Sequence, residues 1–330
     1  NDRGTLPTKT LGLRWDALSD EFEITVKPVE SMNITKRSIL GWIARIFDPL
    51  GFLCTFVIRG KMIMQLIWMT GLDWDDKLPE GINAKALQWV QESLELERIR
   101  IPRCLIEEQN SNWSLHVFSD ASELAYGAVV YLREEIENTV KTRIVVAKSR
   151  VAPVKVVSIP RLELFGACMG VAMVKRIVKV LNYAMRDVTF WTDSMGVLYW
   201  IRQHSRVFKP FVANRVGNIQ EDTIVNQWKY VPSKENPADM ISRGTSVKRL
   251  VEVKEWWEGP DFLKDSEDKW PRTNMKVEED RLKQSSTERE FKRSVHENEV
   301  AGETFLTTLS NFNCGYKWRV DCTEPLTFSS

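Results

Sequence analysis

The stretch VFSDASELAYGAVVYL, residues 117–132, decides the fold because two apolar runs flank a short polar stretch that begins with Ser119 and Asp120. With their neighbours, these runs predict two successive strands, WSLHVFSD and AYGAVVYLRE, joined by a short turn. A carboxylate that follows a strand is usually a turn or cap residue. Whether Asp120 has a further role therefore depends on the rest of the chain.

Strands and helices alternate from residue 113 to about residue 245. The segment KTRIVVAKS predicts a third strand, and a long helix begins near Pro160, a residue favoured in the first turn. The strand DVTFWT, a helix from about Met195 to Gln203, the helix FVANRVGNIQ, the strand QWKYV and a short helix opened by ENPADMIS follow. This order predicts an α/β fold, with a mixed five-stranded sheet and helices on its faces.

Four acids fall near one edge of this predicted sheet. Asp120 ends the first strand and Asp193 ends the fourth, so adjacent parallel strands would place both where open α/β sheets bind ligands. Glu163 lies among apolar neighbours, where an unpaired charge is costly, and a helix packed across the sheet would bring it to the same edge. Asp239 begins the last helix. For two of these acids, a helix-capping role explains the position as well as a role in ligand binding does. Asp193 with Ser194 could cap the helix that follows, and Asp239 could stabilise the positive end of its own helix.

Clustered carboxylates raise one another's pKa unless a cation neutralises them. Ligation by oxygen alone suits Mg²⁺ or Mn²⁺. Two such ions about 3.5–4 Å apart would clamp the attacking and leaving oxygens of a phosphodiester. The four acids therefore predict metal-dependent phosphodiester hydrolysis without a covalent nucleophile.

The bulk composition limits the classes of protein to which the chain can belong. The formal net charge of +1 gives no global signature of nucleic-acid binding, so any basic patch must be local. Five scattered cysteines favour free thiols over a disulfide framework, and three histidines offer no zinc site. No apolar run reaches the roughly 18 residues that span a bilayer, so no membrane association is expected. Because residue 1 is Asn, the chain is expected to be part of something longer.

The regions before and after these alternating strands and helices have different sequence patterns. Before it, the short strands TLGLRW and FEITV precede three helices: TKRSILGWIARIFDPLG, VIRGKMIMQLIWMTG and INAKALQWVQESLEL. Their apolar faces are typical of packing surfaces. After Gly244, EWWEGPDFL predicts a compact aromatic patch, and residues 264–299 predict a solvated, charged linker.

Several motifs together carry a resemblance to a known family. FSDAS, IPRLEL, WTDS and VPSKENPADMISRG resemble the ribonuclease H domain of LTR retrotransposons of the BEL/Pao family, and KSRVAPVKVVSIPRLEL (148–164) is especially similar. TKRSILGWIARIFDPLGFL and GLDWDD resemble the segment that joins reverse transcriptase to the nuclease, and LGLRWD is similar to the last strand region of the polymerase palm. The resemblance covers roughly residues 10–272.

The resemblance implies a domain order and a reaction. Residues 1–30 would end the reverse transcriptase palm, 31–110 would form a helical thumb or connection region, 113–245 a ribonuclease H-like domain, and 246–330 the aromatic patch, charged linker and an unassigned tail. The implied activity is endonucleolytic hydrolysis of the RNA strand of RNA–DNA hybrids during reverse transcription. Its metal-binding catalytic acids would be Asp120, Glu163, Asp193 and Asp239, with two Mg²⁺ ions or, alternatively, Mn²⁺.

The resemblance also implies partners and a location. The chain would act on an RNA–DNA hybrid beside the reverse transcriptase and integrase portions of the same polyprotein, in cytoplasmic virus-like particles with later nuclear entry. Because no Tyr-X-Asp-Asp pair occurs, the fragment is expected to start after the polymerase active site and to stop before the integrase. The adjacent Asp75 and Asp76 are expected at the surface.

Hybrid binding is expected from local basic and polar groups, most of them in or beside the loop that enters the Glu163 helix. For each of them, simple solvation is an equal alternative. The candidates are Lys148, Ser149, Arg150, Lys155, Arg161, Asn214 and Arg215.

One departure from the family pattern leaves the activity open. Tyr230 stands where related elements often carry His, and no His lies between Val207 and Val295. A catalytically inactive nucleic-acid-binding remnant is therefore one alternative to the nuclease. A structural connection module carried by residues 1–105 is the other.

Overall fold

The computed structural model describes residues 8–10, 13–26, 34–108, 111–137, 139–272 and 290–291. Near the N-terminus, four short strands form an antiparallel sheet in chain order. They are β1 (Thr8–Thr10), β2 (Leu13–Asp16), β3 (Glu21–Glu23) and β4 (Arg100–Pro102). The fourth strand comes from far along the chain and was not predicted from the sequence.

Three helices lie between β3 and β4, as the sequence predicted. They are α1 (Lys36–Arg45), α2 (Cys54–Met69) and α3 (Glu80–Ser93). Helix α1 begins at a reciprocal capping box, in which the Thr35 hydroxyl accepts from the Ser38 N–H at 3.2 Å and the Ser38 hydroxyl accepts from the Thr35 N–H at 2.8 Å. Asp75 and Asp76, in the turn after α2, are exposed as predicted.

The central sheet has five strands in the order β7-β6-β5-β8-β9. They are β5 (Asn112–Ala121), β6 (Ala125–Ile136), β7 (Thr139–Val151), β8 (Thr189–Thr192) and β9 (Trp228–Tyr230). The first three pair antiparallel, whereas β8 pairs parallel with both β5 and β9. The predicted mixed five-stranded sheet is therefore confirmed.

Helices cover both faces of this sheet. They are α4 (Ile159–Val180), α5 (Met195–Arg202), α6 (Pro210–Asp222), α7 (Asp239–Arg243), α8 (Val247–Glu252) and α9 (Lys254–Glu258). Since successive strand residues point to opposite faces, Val117 packs into one buried cluster with α4, α5 and α6. Phe118 packs into the other, with α2, α7 and α9. None of the helices in the described ranges is long and apolar enough to cross a bilayer.

Glycines let helices approach the sheet closely at the end of β5. A Cβ at Gly166 of α4 would lie 3.1 Å from the carbonyl oxygens of Asp120 and Gly127. On the opposite face, a Cβ at Gly127 would lie 2.3 Å from Cγ2 of Ile241 in α7. Both helices therefore meet the sheet at the edge where Asp120 lies, and the close approach of α4 brings Glu163, one turn before Gly166, to that edge.

The N-terminal helical region and the central sheet share one core. Buried residues of α1, α2 and α3 belong to the same cluster as Phe118 and Trp191 of the sheet. The Ala147 N–H of β7 donates to the Leu50 carbonyl at 2.9 Å, and Gly51, with a φ of 73°, lies against the Ala147 backbone. The Trp256 indole donates to the Phe52 carbonyl at 2.8 Å.

Two buried side chains correct the prediction of a solvated linker over residues 264–299. Trp270 is only 5% exposed, with its ring centroid 5.6 Å from that of Trp191. Glu290 is 8% exposed and pairs with Arg161. Charged residues dominate this stretch, but the sheet face offers aromatic contacts and α4 offers a cation. The predicted aromatic patch also packs on the sheet, through Trp256 and Phe262.

Residues 273–289 and 292–330, which include most of the predicted linker, the C-terminal tail, Cys314 and Cys322, lie outside the described residues. Cys54, Cys104 and Cys168 are free thiols.

Candidate active site

The sheet brings Asp120 and Asp193 to one edge. Strands β5 and β8 are adjacent and parallel, with Ser119 opposite Thr192. Asp120 follows Ser119 and Asp193 follows Thr192, so the two acids lie side by side at the ends of these strands. Helix α4 adds Glu163, and α7 begins with Asp239. The charges of the other three acids all act on Asp120 to raise its pKa. The four acids predicted from the sequence therefore form one electrostatic cluster.

Asp120 is the most buried of the four, with 6% of its surface exposed. Burial raises its pKa to about 7, and the charge of Asp193 adds to the shift. The Ser242 hydroxyl of α7 donates to Oδ2 of Asp120 and opposes the shift. At neutral pH the carboxyl of Asp120 is therefore divided between its protonated and ionised forms.

Glu163 has a similar environment on the helix side. Burial raises its pKa to about 7, the Ser194 hydroxyl that donates to Oε2 lowers it, and the charge of Asp193 raises it again. The Ser194 oxygen also accepts from the Val197 N–H at 3.2 Å, which makes Ser194 the N-cap of α5. The cap predicted for Asp193 with Ser194 thus belongs to the serine.

Asp193 is held instead by Asn236, a residue that the sequence did not single out. Its side-chain nitrogen donates to Oδ1 of Asp193 at 3.3 Å and to the carbonyl of Ser119 at 3.1 Å. This amide links the turn before α7 to the ends of both β5 and β8. The only signal in the sequence was the Asn-Pro dipeptide, which is typical of a turn.

Asp239 is more open and has a cationic partner. Its Oδ1 accepts from Nε of Arg243 at 2.6 Å, one turn along α7. The pKa of Arg243 is raised first by this hydrogen bond and the charge of Asp239, and then by the charges of Asp120 and Asp193. Arg243 therefore faces the whole acid cluster, and its position became apparent only in the folded chain.

The donor set suits a hard divalent cation, because it consists of carboxylates, two of them with raised pKa values. In the part of the chain that the structure describes, no three acidic, His or Cys side chains converge in metal-ligating geometry. Ser242, Ser194 and Arg243 engage three of the four carboxylates. Each of these hydrogen bonds uses one oxygen of its carboxylate, so a cation could be ligated without breaking it.

The predicted nucleic-acid contacts separate into two groups, and one prediction needs correction. Lys148, Ser149 and Arg150 were placed in the loop that enters the Glu163 helix, but they lie on β7, whose pairing with β6 extends to Val151. Ser149 is buried, and its hydroxyl donates to the carbonyl of Cys54 at 3.4 Å. Lys148 and Arg150 are exposed on the same strand.

The other predicted contacts lie in the loop before α4 and on α4 and α6. Lys155 is exposed in that loop, and Asn214 is exposed on α6. The guanidinium carbons of Arg161 and Arg215 lie 4.5 and 3.7 Å from the ring centroid of Phe211. These two arginines therefore lie against the same aromatic ring. Arg161 is two residues before Glu163 in the sequence of α4.

His116 and Tyr230 have different relations to the acids. His116 is fully buried, bonded to Ser114 at 3.0 Å and to the Trp191 indole at 3.2 Å, and burial lowers its pKa to about 3. It is a neutral core residue. Tyr230, which departs from the family pattern, lies on β9 beside Thr192, the residue before Asp193.

A cavity of about 740 Å³ lies at the other end of β7, away from the acids. Its basic lining residues are Arg98, Arg100, Lys141, Arg143 and Lys264. None of the four acids lines it. Several of these cations are already ion-paired, among them Arg143 with Glu107, so the chemistry of interest is at the acid edge.

Comparison with known families gives one match. Residues 35–194 match the family described as Pao retrotransposon-like RNaseH-like domain. The matched region runs from the cap of α1 to the cap of α5 and includes Asp120, Glu163 and Asp193, whereas Asp239 follows it. No curated protein matches the chain.

Proposed function

Because residues 35–194 belong to the Pao retrotransposon-like RNase H-like family and the chain to a BEL/Pao-type retrotransposon polyprotein, we propose that it is a metal-dependent ribonuclease H. The family supports a nuclease-like role in general terms. The specific proposal is endonucleolytic hydrolysis of the RNA strand of RNA–DNA hybrids during reverse transcription. The observation that carries it is the position of Asp120 and Asp193 at the ends of adjacent parallel strands, with Glu163 and Asp239 acting on the same edge.

The four carboxylates would hold two divalent ions, Mg²⁺ or alternatively Mn²⁺. When bound, such ions activate a water and stabilise the departing 3′ oxygen of a phosphodiester. The residues of the chain prepare that site. Asn236 fixes the carboxylate of Asp193, and the hydroxyls of Ser242 and Ser194 orient the carboxyl groups of Asp120 and Glu163 and favour their ionised forms. Ligands must be deprotonated, so ion binding would release protons from these two acids.

The hybrid would lie across the acid edge and contact the cations nearest to it. We propose that exposed Lys155 before α4, and Arg161 and Arg215 beside Phe211, contact its phosphates. Exposed Lys148 and Arg150 on β7 are further proposed contacts. Recognition of RNA would depend on 2′-hydroxyl contacts in the shallow minor groove.

The same proposal includes the setting. The chain would act beside the reverse transcriptase and integrase portions of its polyprotein, in cytoplasmic particles with later nuclear entry. A catalytically inactive remnant is the second candidate, and two observations favour it: the absence of converged metal ligands among the described residues, and Tyr230 beside the site.

The test is cleavage of an end-labelled RNA–DNA hybrid by the full chain with Mg²⁺ or Mn²⁺. We expect Asp193→Asn to lower the cleavage rate at least ~100-fold, because changing even the outer partners of metal ligands costs up to that much, and EDTA to abolish it. Asp261→Asn is the matched control, since the side chain of Asp261 is 90% exposed and far along the chain from the acids. Its rate should equal that of the wild type.

Two results would contradict the proposal. Cleavage that survives Asp193→Asn would mean that another nuclease or another site is responsible. Hybrid binding without cleavage in either ion would support the inactive remnant.

A further inference from the structure

Glu290 and Phe291 come from beyond the central sheet and lie against α4 and the start of α6. Nε and Nη2 of Arg161 donate to the two carboxylate oxygens of Glu290 at 2.7 and 2.9 Å. This two-pronged geometry is the one with which arginine also binds phosphate. Glu290 is 8% exposed, whereas the side chain of Arg161 keeps 34% of its surface exposed, so solvent reaches the arginine side of the pair.

The surroundings of this pair form a built anion site. Arg161 and Arg215 both stack on Phe211, and Arg215 also lies 4.5 Å from the ring of Phe165. Burial lowers the pKa of Arg215, and the nearby charge of Arg161 contributes to that shift. Two neighbouring cations favour a negative group between or beside them. Within the described ranges, Glu290 is the acid that pairs with Arg161.

Glu290 and Phe291 also contact the residues that precede α6. The Lys209 N–H donates to the carbonyl of Glu290 at 2.7 Å, and Phe291 forms a single antiparallel bridge with Phe208. The ring of Phe291 lies 4.7 Å from that of Phe208 and 6.0 Å from that of Tyr199. Among the described residues, the carboxylate of Glu290 provides the polar contact of this segment with α4.

We propose that the carboxylate of Glu290 is an internal competitor of the nucleic acid, occupying at Arg161 the place of a backbone phosphate. This inference rests on the proposed function, because it assumes that the ligand is a nucleic acid. A carboxylate and a phosphate cannot share one guanidinium fork. The segment Glu290–Phe291 must therefore leave α4 before the hybrid contacts Arg161, and part of the intrinsic affinity for the hybrid is spent on displacing it.

The test measures the affinity of the full chain for a fluorescently labelled RNA–DNA hybrid in EDTA, where no cleavage occurs. Glu290→Gln keeps the size and one acceptor oxygen but removes the charge. We expect it to tighten binding about 10-fold, since the binding-competent fraction rises. Glu267→Gln is the matched control for a lost negative charge, because Glu267 is an exposed acid of the same C-terminal region. It should leave the affinity unchanged.

A double variant separates competition from a general charge effect. In Arg161→Gln the fork is gone, so adding Glu290→Gln should give no further tightening. Equal affinity of Glu290→Gln and wild type would overturn the inference, and so would weaker binding, which would mean that Glu290 positions Arg161 for the phosphate.

The outcomes also distinguish this inference from the proposed function. Tighter binding by Glu290→Gln without cleavage of the hybrid in Mg²⁺ would retain the competitor and exclude the nuclease. Cleavage with unchanged affinity would do the reverse. Absence of hybrid binding by both proteins would overturn both proposals.

Discussion

At the scale of single residues, Asp120 and Glu163 make the acid edge a site where protons bind. Both carboxyls have pKa values of about 7 in the folded chain, raised by burial first and by neighbouring charges second. In the unfolded chain, ordinary values near ~4 apply. Between these values the folded state binds more protons than the unfolded state. The free energy of unfolding therefore falls as pH rises from about 4 to about 7 and levels off above it.

Asp120→Asn should remove one of these titrating groups while keeping an acceptor for Ser242. We expect the variant to be more stable than the wild type at pH 8 by ~1–3 kcal/mol, with a difference that shrinks towards pH 4. Urea unfolding in EDTA at several pH values measures this directly. Asp261→Asn, at a 90% exposed side chain, should show no such dependence. A gain that is the same at every pH would rule out titration of Asp120 as its cause.

At the scale of elements, α7 packs closely against β6 because Gly127 of β6 has no side chain. A Cβ at Gly127 would lie 2.3 Å from Cγ2 of Ile241 and 2.4 Å from the carbonyl oxygen of Lys148. Gly127→Ala should therefore push α7, with Asp239, away from the sheet. We expect a loss of ~1–3 kcal/mol in the free energy of unfolding, as for overpacked cores, together with slower hybrid cleavage.

Gly41→Ala is the matched substitution in another element. Gly41 lies inside α1, and a Cβ at this position would meet no neighbouring group within 4 Å. Alanine should stabilise this helix by ~0.5–1 kcal/mol, because glycine is the poorer helix former. If both substitutions changed the urea midpoint equally, close packing of α7 on Gly127 would not be the cause.

The elements near the acids were predictable wherever the pattern is local. Alternation indicated β5 and β6, Pro160 marked the start of α4, and Thr35 opened α1. The partners of the acids were not predictable, since Ser242 reaches Asp120 across 122 residues of sequence. Polar residues also obscured the end of β7, which is a strand only because β6 pairs with it.

The same limit applies to Glu290, whose charged neighbours in the sequence indicated a solvated linker. Its burial depends on Arg161, 129 residues away. Strand β4 is a comparable case, because only its pairing with β3 makes it a strand. Composition describes a segment in isolation, whereas these residues are ordered by a distant partner.

At the scale of the whole molecule, the helical region and the sheet share one buried core. Residues on both sides contribute to the cluster that contains Phe56, Phe118 and Trp191. We expect one urea transition, with coincident midpoints by tryptophan fluorescence and by far-UV circular dichroism. Two separated transitions would instead support a self-contained connection module.

Deletion of residues 1–105 tests the same point from the other side. Without residues 1–105, the sheet face around Ala147 would be uncovered and the Trp256 indole would lose its acceptor, the Phe52 carbonyl. The shortened chain should therefore aggregate or unfold without cooperativity, as measured by light scattering and urea unfolding. A soluble, cooperative fragment that cleaves hybrids would contradict this and would show that the nuclease is independent.

The approach of Gly51 to Ala147 has a consequence for how such polyproteins can change by recombination. A recombination breakpoint between α3 and β5 would join the helical region of one retrotransposon to the sheet of another. The hybrid protein would then have to reproduce a backbone contact that tolerates no side chain at position 51, where a Cβ would lie 1.8 Å from the carbonyl oxygen of Ala147. Viable exchanges should therefore carry the two halves together, as a single heritable block.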